Sequence, residues 1–456
     1  MNILFEMGPL CVLLVAFVGR RVHANTLHAV ITGIVSLFFI VTAIWLFPLL
    51  FAGDFRSWII LMTNLIAVTS AWDSIWWGPE HRHINVRRYY VWWALFWASL
   101  IAIASSNNLV FSWLAIEFSS LASGAVIVEM GNRRALEAAW KYIVIASVGL
   151  FMAVIGILFV YASLRFQNLG WHTLDYTNIH AHYTSIPPLV RELATILIVC
   201  GIGTKAGLVP FHTWLPDAHS EAPSPASGLL SGVLLGLSLI TIDMYIRAAP
   251  VPSSTWLSGN HLLLLFGCLS VLVGTLALLV QSDIKRLLAY SSIEQMGITA
   301  VGFGIHTSLG YDAALLQLGF HAVIKSSLFY LSGHLSIRYG SKRLKQITNI
   351  AAMYRPLGVA WAILMLALAG LPPMGLAYSE WMILLGLWQS HLWGVLVVVS
   401  LSLVLGFAAL VHHLMAGLWG AQTTAAVDHV EVAEPLVRDS ASFTTTPLTV
   451  TGGTHR

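Results

Sequence analysis

Five ionisable residues stand inside apolar stretches of this sequence: Glu117 in FSWLAIEFSSLASG, Lys205 in GTKAGLVPFHTWLPDA, His321 and Lys325 in HAVIKSSLFYLSGH, and Glu380 in GLPPMGLAYSEW. At the centre of a bilayer such a group costs at least about 2.5–3.5 kcal/mol to insert, so it is rare unless paired or functional. The residue types fit proton transfer. Desolvation weakens a lysine's hold on its proton and a nearby carboxylate strengthens it, so a lysine facing a movable glutamate can switch between charged and neutral forms. Histidine, with an unperturbed pKa of about 6.5, suits an intermediate step. We read Glu117 and Lys205 as one such pair. His321 and Lys325, four residues apart on one helical face, would hand protons on to Glu380. The plainer alternative is structural: a static Glu117–Lys205 ion pair, and a His321 that only hydrogen-bonds between helices.

Other groups carry a divided reading. Glu294, in LAYSSIEQMG, follows Arg286 by eight residues and either joins the relay or pairs with that arginine. Asp217, His219 and Glu221 lie just past the Pro210 segment, near a membrane face, where they suit an entry funnel or else a loop capping the helix that begins around Pro223 and Pro225. Asp243 suits an interfacial pair with Arg247, four residues on. His81 with His83, His180 with His182, and His412 with His413 have no convergent third ligand, so they are read as loop or interfacial residues and no metal site is assigned. Cys11, Cys200 and Cys268 are far apart in apolar runs and give neither a disulfide framework nor an iron–sulfur spacing. Neither a glycine-rich dinucleotide fingerprint nor a phosphate loop is present. No cofactor is expected on this chain, so the electrons of any coupled redox reaction would travel in other subunits.

The elements that must position these groups follow from composition. Of 456 residues 57% are hydrophobic and 9% charged, against about 25% charged in an ordinary soluble domain. This excludes a soluble enzyme, no nucleic-acid partner is expected, and the surroundings are the lipid bilayer. Runs of about 20 apolar residues, enough to cross a hydrocarbon core, recur up to Leu418. The expected fold is an all-α polytopic membrane protein of about thirteen transmembrane helices, near residues 3–19, 27–50, 55–76, 88–106, 108–129, 138–163, 190–213, 223–247, 260–280, 285–306, 312–338, 357–389 and 391–417. The first is read as a retained helix, since no basic region precedes it and no cleavage site stands out. The stretch 164–190 reads as an apolar but irregular loop.

Basic residues set the orientation. With alternate loops on opposite faces, one face holds fourteen (Arg20, Arg21, Arg82, Arg87, Arg88, Arg133, Arg134, Lys285, Arg286, Arg338, Lys342, Arg343, Lys345 and Arg355) and the other holds Arg56, Arg165, Arg191 and Arg247. The positive-inside rule then places the N-terminus outside and the C-terminal tail in the cytoplasm, and the chain is expected in the cell's inner (plasma) membrane. The tail, 418–456, is polar and reads as disordered.

Helices seven and twelve are interrupted by glycine and proline, at Gly203 to Ala218 and Gly370 to Trp381. Each interruption has a charge beside it and an acid well before it: Glu117 precedes Lys205 by 88 residues, and Glu294 precedes Glu380 by 86. This predicts two five-helix units, 88–247 and 248–417, preceded by helices one to three in 1–87. Because five is odd, the second unit is inverted, and interrupted helices at matching places of inverted repeats point to an ion site.

The segments TKAGLVPFHTWLPDAHSEAPSPASGLLSG (Thr204 to Gly232), DIKRLLAYSSIEQMG (Asp283 to Gly297) and HAVIKSSLFYLSGH (His321 to His334) resemble the antiporter-type membrane subunits of complex I and of energy-converting hydrogenases. Within that family AHSEAPSPASGLLSGVLL and ALEAAWKYIVIASVG are most similar to hydrogenase-4 component F, of the formate hydrogenlyase group. The resemblance, over about Tyr89 to Leu418, implies two inverted five-helix repeats around a central polar axis, with Glu117, Lys205, His321, Lys325 and Glu380 at the family's key positions. It implies partner subunits carrying iron–sulfur or nickel–iron centres. Two departures stand out: Gly236 occupies a place where complex I relatives often carry lysine, and a polar tail stands where a fourteenth helix is usual. The function implied is a proton-translocating subunit of a respiratory or hydrogenase-type oxidoreductase complex. The alternatives are a sodium/proton antiporter subunit, or a proton-coupling subunit of another membrane complex.

Overall fold

The computed structural model describes residues 2–18, 23–78, 81, 84–167, 169–252, 255 and 257–420. The expected disordered tail beyond Gly420, and Arg20, Arg21 and Arg82 among the orienting basic residues, lie outside the described residues. Helices account for nearly all of what is described: α1 (Asn2–Val18), α2 (Ala24–Phe51), α3 (Phe55–Trp77), α4 (Val86–Ser105), α5 (Leu109–Val128), α6 (Arg133–Leu164), a short α7 (Tyr176–His182), α8 (Pro188–Ala206), α9 (Trp214–Glu221), α10 (Ser224–Leu229), α11 (Leu235–Ala248), α12 (Gly259–Leu278), α13 (Ile284–Gly304), α14 (Ser308–Tyr339), a single turn α15 (Ile350–Met353), α16 (Arg355–Leu368), α17 (Gly375–Gln389) and α18 (Trp393–Trp419). Among the described residues, nine helical stretches are long and apolar enough to cross a bilayer. The protein is a multi-pass α-helical membrane protein. The irregular loop expected at 164–190 is instead a string of 3₁₀ turns around α7.

Side-chain polarity sorts the helices by depth in the bundle. α2 and α18 leave large apolar residues exposed on one side, among them Leu37, Ile44, Leu401 and Val404. α13 carries Lys285, Arg286, Glu294 and Gln295, yet nearly its whole length is buried. A helix this polar inside a membrane must meet protein rather than lipid. It packs tightly on α12 because Gly267 and Gly297 leave no room for side chains: a β-carbon on either would stand 2.8 Å from the other's carbonyl oxygen.

Both interruptions follow one local logic. α8 runs into Gly207 at φ +74°, and α16 is followed by Gly370 at φ +73°, a left-handed conformation that glycine takes at least cost. Proline follows within three residues in each case. α9 and α10 then continue after the first break, and Leu230–Leu234 forms a π turn leading into α11. The two charges lie on opposite sides of their breaks: Lys205 is two residues before Gly207, whereas Glu380 is ten residues after Gly370. The residue ten after Gly207 is Asp217. The similar 88- and 86-residue separations therefore end on non-equivalent turns. Helix caps give a different register: Asn108 opens α5 and Asp283 opens α13, each accepting hydrogen bonds from two backbone N–H groups of the first turn.

Candidate functional site

α5, α6 and α8 surround Lys205, which has no exposed surface. Its Nζ donates to Ser120 Oγ at 2.7 Å and to the Tyr142 hydroxyl, and lies 4.4 Å from the centre of the Tyr142 ring and 5.7 Å from that of Trp214. Two oxygen acceptors and two π faces thus replace water around the ammonium. Glu117 and Lys205, read from the sequence as a switching pair, are within electrostatic reach of each other and make no direct salt bridge among the described residues. Glu117 is one helical turn from Ser120, and its Oε1 accepts a 2.6 Å hydrogen bond from Ser147 Oγ while Oε2 is buried without a partner among the described residues.

α9 and α14 bring two imidazoles together in the middle of the protein. His219 is fully buried and stacks on Phe329 with ring centres 4.6 Å apart. His321 is 1% exposed, and all four ring nitrogens of the two histidines lack hydrogen-bond partners among the described residues. Lys325, one turn beyond His321 and fully buried, donates to Leu288 O and Ser291 Oγ of α13. His219 and His321 both interact electrostatically with Lys325. The expected funnel is therefore divided: His219 turns into the core, whereas Asp217 and Glu221 face outward. Asp217 pairs with Arg286 at 3.2 Å and Glu221 with Lys342 at 3.3 Å. Asp217 and Glu221 line a polar cleft of about 310 Å³ together with Arg134, Glu137, Lys141 and Arg286.

Glu294 has no contact with Arg286, whose partner is Asp217. It is 2% exposed, accepts 2.7 Å from Thr275 Oγ1 on α12, and is the acid that acts on Lys325. Glu294 is within electrostatic reach of both Lys325 and Glu380. Gln295 Nε2 donates to Glu380 Oε1 at 3.3 Å, Gln317 Nε2 donates to Gln295 Oε1, and Ser379 Oγ donates to Gln317 Oε1. Glu380 is 7% exposed. Asp243 accepts from Arg247 Nε at 2.7 Å, and that guanidinium lies 4.0 Å from the Tyr311 ring centre, matching the interfacial pair expected from spacing.

Ser120, Tyr142, Gln295, Gln317 and Ser379 escaped the sequence reading because neutral polar residues are common in membrane helices. One signal was available: Gln317, His321 and Lys325 fall at four-residue intervals, a polar stripe on one face of α14. Gly236 is packed rather than open, since a β-carbon there would meet Leu318 Cδ2 at 2.9 Å. Among the remaining histidines, His180 and His413 hydrogen-bond backbone carbonyls of Arg247 and Leu278.

Residues 106–406 match the family described as NADH:quinone oxidoreductase/Mrp antiporter, transmembrane. The chain is 35% identical to the hydrogenase-4 component F homolog of Methylacidiphilum infernorum over 334 residues, 71% of this chain and 70% of that protein. It is 31% identical to NADH-quinone oxidoreductase subunit N of Desulforudis audaxviator, covering 69% of this chain and 62% of the relative. With Escherichia coli hydrogenase-4 component B it shares 28% identity over 73% of its length, and it spans about half of that protein. In fold it is similar to a chain of the membrane-bound sulfane sulfur reductase, an archaeal respiratory membrane complex, with TM-score 0.80, 20% identity, and coverage of 91% of this chain and 86% of that one. The Mrp complex from Dietzia sp. gives TM-score 0.80 at 18% identity, covering 92% and 80%. The chain belongs to the NADH:quinone oxidoreductase/Mrp antiporter transmembrane family.

Proposed function

We propose that this protein is a proton-translocating membrane subunit of a respiratory or hydrogenase-type oxidoreductase complex. The observation that carries the reading is a series of ionisable groups inside the helices: the partly buried Glu117 and the buried Lys205, His219, His321, Lys325, Glu294 and Glu380, with hydrogen-bonding partners in place at Lys205, Glu294 and Glu380. Lys205 and Lys325 are buried, and each has a hydroxyl acceptor, a carboxylate within electrostatic reach and, among the described residues, no direct salt bridge. A lysine held this way can lose its proton without breaking an ion pair, which a static pair does not allow. The step across the middle, for which Gly236 offers no ionisable group, uses the two imidazoles, whose neutral form both accepts and donates.

The units 88–247 and 248–417 are two inverted copies, a reading supported by the paired caps Asn108 and Asp283 and the left-handed glycines 207 and 370. The cleft at Asp217 and Glu221 is a water-accessible mouth. The partners are other membrane subunits of one complex and redox subunits carrying iron–sulfur or nickel–iron centres. The chain lies in the inner membrane, with the N-terminus outside.

The test is proton uptake into vesicles holding the assembled complex, with redox turnover followed in the same sample, with and without sodium. Lys205→Ala should abolish uptake while the complex assembles, because the helix break depends on Gly207 and Pro210. Lys205→Arg should also fail, since a guanidinium does not release its proton. Glu117→Gln, which keeps a bond to Ser147, should give a milder loss. Wild-type pumping in Lys205→Arg would make Lys205 structural, and strict sodium dependence would favour the antiporter reading.

A further inference from the structure

A second set of buried polar groups lies where α3, α10 and α14 meet, outside the axis. Asp73, in the last turns of α3, is 7% exposed, and its Oδ1 accepts a 2.8 Å hydrogen bond from His334 Nε2 on α14. Among the described residues its Oδ2 is buried without a partner. Ser224 opens α10 and is 1% exposed; its hydroxyl is also unpartnered and rests against Gly333, the residue before His334, so closely that a β-carbon there would collide with it. Lys285, in the first turn of α13, donates 2.9 Å to Ala222 O in the link between α9 and α10, and lies within electrostatic reach of both Asp73 and His219.

These groups form a graded series. The His334 side chain is 25% exposed and that of Asp73 is 6% exposed, while Ser224 and His219 are buried. A clamp between α3 and α14 needs one carboxylate oxygen and one imidazole nitrogen. It gives no reason for the second carboxylate oxygen or for the hydroxyl against Gly333, both buried and without a partner among the described residues, nor for the unpartnered nitrogens of His219, which Lys285 reaches as it reaches Asp73. Isolated polar atoms of this kind are ordinarily bridged by ordered water, and water between a carboxylate and an imidazole conducts protons. The other ionisable groups near Asp73 are poor carriers at neutral pH: Tyr89 and Tyr330 are buried phenols bound to Ser74 and Thr69. Lys342 and Glu221 lie farther out, beside Lys285, and pair with each other.

We propose that Asp73 and His334 form a proton entrance to the His219 end of the axis, opening on the face that carries the end of α3 and relayed past Ser224 and Lys285. The inference rests on the proton-relay reading, and its test separates the two. In vesicles holding the assembled complex, Asp73→Asn keeps an acceptor for His334 but carries no proton, and should slow proton uptake about tenfold or more. Formate, a small weak acid that can shuttle protons to the vacated step, should restore much of the rate. Lys205→Ala should abolish uptake with no rescue by formate. Wild-type uptake in Asp73→Asn, or a loss that formate leaves untouched, overturns the entrance, while a dead Lys205→Ala keeps the axis. Normal pumping by Lys205→Ala overturns the axis itself and the entrance with it. Should Asp73→Asn fail to assemble, His334→Gln retains a donor to Asp73 and carries the same expectation and the same overturning result.

Discussion

The carboxylate of Glu380 lies directly over Gly370, the left-handed glycine after α16, so closely that a β-carbon at position 370 would collide with Oε2. The break in this helix therefore does two things. It stops the helix, and it clears the space in which a buried acid ten residues later meets Gln295. Gly370→Ala should strain the backbone by about 1–3 kcal/mol and push Glu380 away from the amide. The expected outcome is a lower melting temperature for the purified protein together with slower proton uptake. Unchanged uptake in a destabilised variant would separate the glycine's backbone role from any role in placing Glu380.

Tyr142 meets Lys205 twice, through its hydroxyl and through its ring. Tyr142→Phe removes the hydroxyl, including its 2.7 Å bond with Ser123, and keeps the π face. A hydrogen bond to a charged group contributes about 1.5–3 kcal/mol. Uptake should therefore fall about 10- to 100-fold if that bond sets the lysine's proton affinity, with assembly retained. Tyr142→Leu, which removes the ring as well, should fall further. Equal rates for the tyrosine and phenylalanine forms would remove Tyr142 from the mechanism.

Glu294 and Arg286 share one helix but different partners, so their substitutions should part company. Glu294→Gln removes the acid that acts on Lys325 and should lower uptake strongly. Arg286→Gln breaks only its partly exposed contact with Asp217, whose side chain is 36% exposed; exposed pairs contribute about 0–1 kcal/mol. It should alter stability little and affect uptake only through the cleft. Similar losses in both variants would mean that the two residues act as one unit.

Orientation is testable without the complex. With basic loop residues concentrated on one face, a reporter fused after Trp419 should be active only in the cytoplasm. Activity on the other side would mean that one crossing has been missed or added.

Composition and spacing made the membrane fold legible from the sequence alone. Apolar runs of bilayer length have few alternatives to transmembrane helices, and charges stranded within them are too costly to be incidental, so Lys205, His321, Lys325 and Glu380 stood out one by one. The glycine–proline breaks were equally plain, because those residues act on the backbone locally. What tertiary structure decided was who meets whom. Glu117 faces Ser147 rather than Lys205, Glu294 faces Thr275 rather than Arg286, and His219 turns inward while its near neighbours Asp217 and Glu221 turn to the cleft. Partnerships of this kind depend on the rotation of each helix about its axis and on contacts between residues 19 to 261 positions apart, from Thr275 with Glu294 to Asp73 with His334. Neutral acceptors such as Tyr142 and Gln317 carry no insertion cost large enough to mark them in a sequence. They become visible only when packing sets them against a buried charge.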